Sequence, residues 1–239
     1  MCSALCLRTA RTYLNRKEND PMTPNYELAA TAAMRALIAN NITTAPVMPL
    51  PILKRIPGVL VLTFEEMSRD AGIERQEILK RFGDNQDAAT FYRDTGKIRY
   101  IVAYNQSLSI YLAQRAIARE LGHIVLGHDG ETRTTENRMA EAYCFAHHLL
   151  CPRPVIKAIQ DAGITVTYEV LGSVTGCYER CVAGIRTEPG VHVDPELNRK
   201  VREQFSDYLK NMIDFQPVLA RSDQSAPADF GHYMDNYEE

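Results

Sequence analysis

The feature that most constrains this chain is a pair of adjoining segments with helical apolar periodicity. From Ile110 to about Leu126 the apolar residues recur as Ile110, Ala113, Ile117, Leu121 and Ile124, and Leu112, Ala116 and Val125 widen the stripe. Ser107 or Ser109 supplies an N-cap, and Gly127-His128-Asp129-Gly130 ends the helix. A second helix is predicted from about Thr135 to Leu150, stopping before Cys151-Pro152-Arg153-Pro154.

Shorter elements surround this pair. Tyr26 to Asn40 is rich in Ala, Leu and Met and reads as a helix. Prolines 46, 49, 51 and 57 break regular structure, leaving room for a short helix from about Ile52. Gly58 to Phe64 reads as a buried strand, and Glu65 to Phe82 as helical with Gly72 interrupting it. Two β-rich runs, Ala88–Arg93 and Lys97–Asn105, flank Asp94-Thr95-Gly96 and predict a hairpin. Val155–Ala162, Thr167–Ile185 and Pro195–Ile213 are predicted to be helical. The fold class is therefore α+β, a small antiparallel sheet packed with helices.

Composition narrows the function. The chain has 239 residues with 45% hydrophobic and 24% charged, which excludes a wholly disordered or fibrous protein. A net charge of −3 gives no global attraction to a phosphate backbone, so no direct nucleic-acid binding is expected. No apolar run approaches the ~20 residues that span a bilayer, so no membrane partner is expected either. The six cysteines (2, 6, 144, 151, 177 and 181) form no CxxC pair and read as free thiols of a cytoplasmic protein.

The ends differ from the middle. Residues 1–21 carry Arg8, Arg11, Arg16 and Lys17 without a secretory signal and read as a disordered basic leader, with Met22 as an alternative start. Ser222 to Glu239 holds five acids and no Lys or Arg. The expected organisation is one domain over 22–215, with a motif region at 107–160 and C-terminal helices at 165–215, then an acidic tail over 216–239.

The chemistry concentrates in Arg119-Glu-Leu-Gly-His123, followed by Glu141 on the next helix. A metallopeptidase site needs two ligands one helical turn apart. It also needs a carboxylate just after the first ligand to activate a metal-bound water, and a third ligand from a neighbouring helix. Glu120, His123 and Glu141 stand where that pattern wants the base and two ligands. Arg119 stands where it wants the first histidine, and a guanidinium offers a metal no lone pair. His128, His147 and His148 are the histidines at hand to replace it. Alternatively, Arg119 supplies a fixed cation, paired with Glu141 or swung back onto Glu120.

The stretch IARELGHIVLGHDG followed by ENRMAEAYCFAHHLLCPRPVI resembles the ImmA/IrrE family of metallo-endopeptidases. Its hallmarks are a histidine before E-L-G-H-x-x-L-G-H, then E-x-x-A-x-x-F-A-x-x-L-L-x-P on the next helix. Here Glu120 to His128 fits the first part, and Glu141, Phe145, Ala146, Leu149, Leu150 and Pro152 are read as fitting the second. The resemblance, over roughly Tyr26 to Ile159, implies a zincin-like α+β fold. It also implies zinc held by His123 and Glu141, and Glu120 as general base. It further implies a cytoplasmic protein of a phage or mobile element that acts on, or with, a helix-turn-helix repressor. Two functions are open: a zinc endopeptidase with a degenerate RELGH motif, and a catalytically inactive pseudopeptidase that binds a regulator or other protein partner.

Overall fold

The computed structural model describes residues 23–82, 87–94, 96–129, 134–176 and 191–214. The leader over 1–21, the tail over 216–239, four of the six cysteines and the far part of the helix expected over Thr167–Ile185 lie outside them. Among the described residues there are ten helices and three strands: α1 (Tyr26–Ala39), α2 (Pro49–Lys54), β1 (Val59–Thr63), α3 (Phe64–Ala71), α4 (Arg75–Phe82), β2 (Ala88–Tyr92), β3 (Tyr100–Tyr104), α5 (Ile110–Val125), α6 (Thr135–Leu150), α7 (Arg153–Asp161), α8 (Tyr168–Thr175), α9 (Pro195–Gln204) and α10 (Ser206–Asp214). The class is α+β, as expected.

The sheet corrects one expectation. Its order is β1-β3-β2, and β2 pairs with β3 antiparallel, but β1 pairs with β3 in parallel, Val59 opposite Tyr100 and Thr63 opposite Tyr104. The sheet is mixed because α3 and α4 intervene after β1, and a chain that leaves a strand through helices can return beside it in the same direction. The switch from strand to helix is abrupt. Thr63 ends β1 and caps α3, accepting from the Glu66 amide while Glu66 returns a bond to the Thr63 amide. Gly72, left-handed at φ 63°, closes α3. Phe64, Ile78 and Ala103 form a small satellite core between these two helices and the sheet.

The main core lies between α1, α5 and α6. Alanines 29, 30 and 33 of α1 are fully buried and let the helix lie close to α6. Against α5, helix α6 packs tightly at Gly122, where a methyl group would meet the Ala142 carbonyl at 3.1 Å and Phe145 Cδ1 at 3.0 Å. The segment Pro195–Ile213, expected as one helix, breaks at Phe205 into α9 and α10, and Phe205 is fully buried. Cys144 and Cys151 are buried free thiols. No helix among the described residues is long and apolar enough to cross a membrane.

Candidate functional site

A cleft of about 230 Å³ opens between the edge strand β2, the middle of α5, the loop after α5 and the first turns of α6. Arg119, Glu120 and His123 of α5 line it, with His128 and Asp129 of the loop and Thr135, Arg138 and Met139 of α6.

Arg119 is buried, at 4% exposure, and each of its three guanidinium nitrogens has a partner. Nε donates to Glu120 Oε1 at 2.8 Å, and one terminal nitrogen lies 2.7 Å from the same oxygen. That terminal nitrogen also donates to the Ala88 carbonyl at 2.7 Å, and the other donates to the Tyr143 hydroxyl at 3.1 Å. Tyr143 offers its ring as well, with the guanidinium carbons of Arg115 and Arg119 at 5.1 and 5.5 Å from its centre. Burial works against the Arg119 charge, but the Glu120 carboxylate and then Tyr143 outweigh it and raise its pKa above the ordinary value.

The second oxygen of Glu120 accepts from the Thr90 hydroxyl at 2.7 Å, so both oxygens of this buried carboxylate are occupied. The bond to Ala88 reaches the edge of the sheet. Asp87 and Arg93 bond backbone to backbone with the β3 side, so by the two-residue period Ala88, Thr90 and Tyr92 turn their backbones away from it. Arg119 therefore closes the first outward carbonyl of the strand that walls the cleft.

Glu141 stands elsewhere. It is fully buried, accepts from the Asn25 amide at 2.6 Å and from His128 Nε2 at 3.0 Å, and does not line the cleft. At about 100° per residue around α6, Glu141 lies nearly opposite Met139. Met139 shares the cleft side with Tyr143, one turn on. Of the two pairings open to Arg119, the one with Glu120 is found, and Glu141 turns instead toward the start of α1. Anchoring the second hallmark on Phe145 and Ala146 gives the same answer, since counting back six residues from Phe145 puts the motif glutamate at Met139.

His123 Nδ1 lies 2.9 Å from His128 Nδ1. With Glu141 ionised and accepting from His128 Nε2, the neutral tautomer that satisfies both contacts has His123 Nδ1 donating to His128 Nδ1. The lone pair of His123 then sits on Nε2. Burial, His128 and the Arg119 and Arg138 cations hold His123 down at a pKa of about 3. The loop carrying His128 is pinned twice. Arg138 donates to the His128 carbonyl at 3.1 Å, and the Tyr100 hydroxyl donates to Asp129 at 2.9 Å. Burial and that bond to Asp129 push Tyr100 up to about 12.

His147 and His148, the other candidate substitutes, are buried on α6, where His147 stacks on Tyr143. Neither lines the cleft. Among the described residues no group of three or more His, Cys, Asp or Glu side chains is placed to hold a metal ion. A zinc site of the expected kind needs three convergent lone-pair donors. This cleft offers His123 for that role, with a cation at Arg119, a thioether at Met139, Glu120 bonded to Arg119 and Thr90, His128 bonded at both ring nitrogens and Asp129 bonded to Tyr100. The donor set does not fit zinc.

Residues 74–176 match the family model of the peptidase M78 group described as the IrrE N-terminal-like domain, from the start of α4 to the glycine that closes α8. The chain carries an IrrE N-terminal-like domain. No curated protein and no solved structure matches it. The match supports ImmA/IrrE membership, and the cleft residues from Ala88 to Met139 all lie within it. Thr90, Tyr143 and Met139 went unnoticed in the sequence. A count along the second hallmark exposes Met139, whereas Thr90 and Tyr143 carry no signal before the strand and helices are docked.

Proposed function

We propose that this chain is a pseudopeptidase: an IrrE-like domain that keeps the peptidase cleft as a binding site for a protein partner, without cutting it. The observation that carries this reading is the Arg119 guanidinium, buried and bonded to Glu120, Ala88 and Tyr143. A general base must be within reach of the proton it takes and hold a lone pair for it. Here Oε1 of Glu120 faces two Arg119 nitrogens and Oε2 accepts from Thr90, so most of the carboxylate's lone-pair sites are already taken and its position is fixed by the cation rather than by a metal-bound water. The cleft and the edge strand remain, and an extended segment of a partner can add to the outward groups of Thr90 and Tyr92. A helix-turn-helix regulator is the class of partner that the family resemblance points to, in the cytoplasm of a bacterium carrying the phage or mobile element.

The second reading, a zinc endopeptidase acting on a repressor, is favoured by one observation. His123 keeps its Nδ1 bonded to His128, the arrangement that leaves Nε2 ready as a ligand. One experiment separates the two. The protein is mixed with a helix-turn-helix repressor, with and without added zinc. The binding reading expects a complex by calorimetry and an intact partner by mass spectrometry. Zinc-dependent cleavage that a chelator stops supports the second reading and defeats the first.

A further inference from the structure

Two cleft-lining residues on two helices, Arg119 and Met139, bear on whether a metal can sit here. Arg119 is the visible departure. Glu141 looked like the third ligand because it lies on the right helix at roughly the right distance along the chain. Three observations move that role to position 139. Met139 lines the cleft and Glu141 does not. Glu141 has one oxygen on the Asn25 amide and the other on His128 Nε2, which makes it a brace between α1, the loop and α6. Ala142 packs against Gly122 of α5, fixing the rotation of α6, and Met139 and Tyr143 then fall together on the side where Arg119 lies.

From this we infer that the cleft has lost two of three metal ligands, at Arg119 and Met139, and that replacing either one alone does not restore zinc binding. His123 is then the one remaining ligand of the set, with its tautomer still arranged by His128 and Glu141. The inference goes beyond the binding function proposed above and does not depend on the partner, because it concerns which side chains line one cleft.

The test is zinc affinity, measured by competition with a chromophoric chelator on the full-length chain. The variants are Arg119→His, Met139→Glu and the double variant, each checked for folding by circular dichroism. Each single variant is expected to stay within about tenfold of the wild type. The double variant is expected to bind one zinc at least ~100-fold more tightly, more than an outer-shell partner is worth. Cobalt in place of zinc should then give that variant alone the intense absorption of a tetrahedral site. The inference is overturned if Arg119→His alone binds zinc tightly, because Glu141 or a histidine then completes the site. It is also overturned if the folded double variant stays at background. If Met139→Glu unfolds the chain, Arg119→His with Met139→His brings an uncharged ligand to the same place and is held to the same two outcomes. Failure here leaves the partner complex of the previous section untouched, and loss of that complex leaves these affinities untouched.

Discussion

Arg119→Leu should be among the most damaging single changes in the protein. The substitution takes a cation from a site of 4% exposure and leaves Glu120, at 3% exposure, without its partner. It removes the bonds to Glu120, to the Ala88 carbonyl and to the Tyr143 hydroxyl. Breaking a buried ion pair by deleting one member costs about 3–5 kcal/mol, because the surviving charge stays buried. That is a large part of the ~5–15 kcal/mol that holds a domain folded. Glu120→Gln in the Arg119→Leu background should recover about 2 kcal/mol, since glutamine carries no charge and still accepts from Thr90. The chain has no tryptophan, so urea unfolding is best followed by far-UV circular dichroism. The reasoning is refuted if Arg119→Leu unfolds within about 1 kcal/mol of the wild type at unchanged slope. It is refuted equally if Glu120→Gln makes the leucine variant still less stable.

Other consequences follow from the same contacts. Gly122→Ala should destabilise by about 1–2 kcal/mol despite alanine's better helix propensity, since the new methyl meets backbone at 3.1 and 3.2 Å; urea midpoints check this. Thr90→Val removes the hydroxyl that Glu120 accepts and should cost about 1.5–3 kcal/mol by the same assay. His123 should stay neutral through mild acid. Its folded pKa of about 3 lies below the unfolded value near 6.5, so the unfolded chain binds the proton first, and this residue's contribution to stability is full above about pH 6.5 and lost as pH falls toward 3. In NMR its ring signals should stay unmoved between pH 8 and 4; a midpoint near 6.5 would contradict the burial and charge argument.

How much was legible before the structure depended on the kind of information. Helix α6 was read with both ends in place, because the Thr135–Leu150 periodicity and Cys151-Pro152 mark its course locally, and the structure adds Thr134 as its cap. The parallel pairing of β1 with β3 was not readable, since it joins residues some forty positions apart through no local signal. In the site, Glu120 and His123 were rightly placed together on α5, and one of the two postures foreseen for Arg119 is the one found. Glu141 turns away from the cleft toward Asn25 and His128, which a spacing along the chain does not show without the rotation of its helix. That rotation is decided by the small residues Gly122 and Ala142 meeting between helices. The tie from Arg119 to the Ala88 carbonyl depended on which backbone groups of β2 face outward, a property of its pairing with β3.

The central claim is that the cleft holds no catalytic zinc because Arg119 and Met139 stand where ligands would be. The most direct measurement is the zinc content of the wild-type chain after equilibration with excess zinc and gel filtration, by elemental mass spectrometry. The account predicts zinc well below one ion per chain and a melting temperature that zinc does not raise. One tightly held zinc per chain, lost together with partner cleavage on adding a chelator, would contradict it.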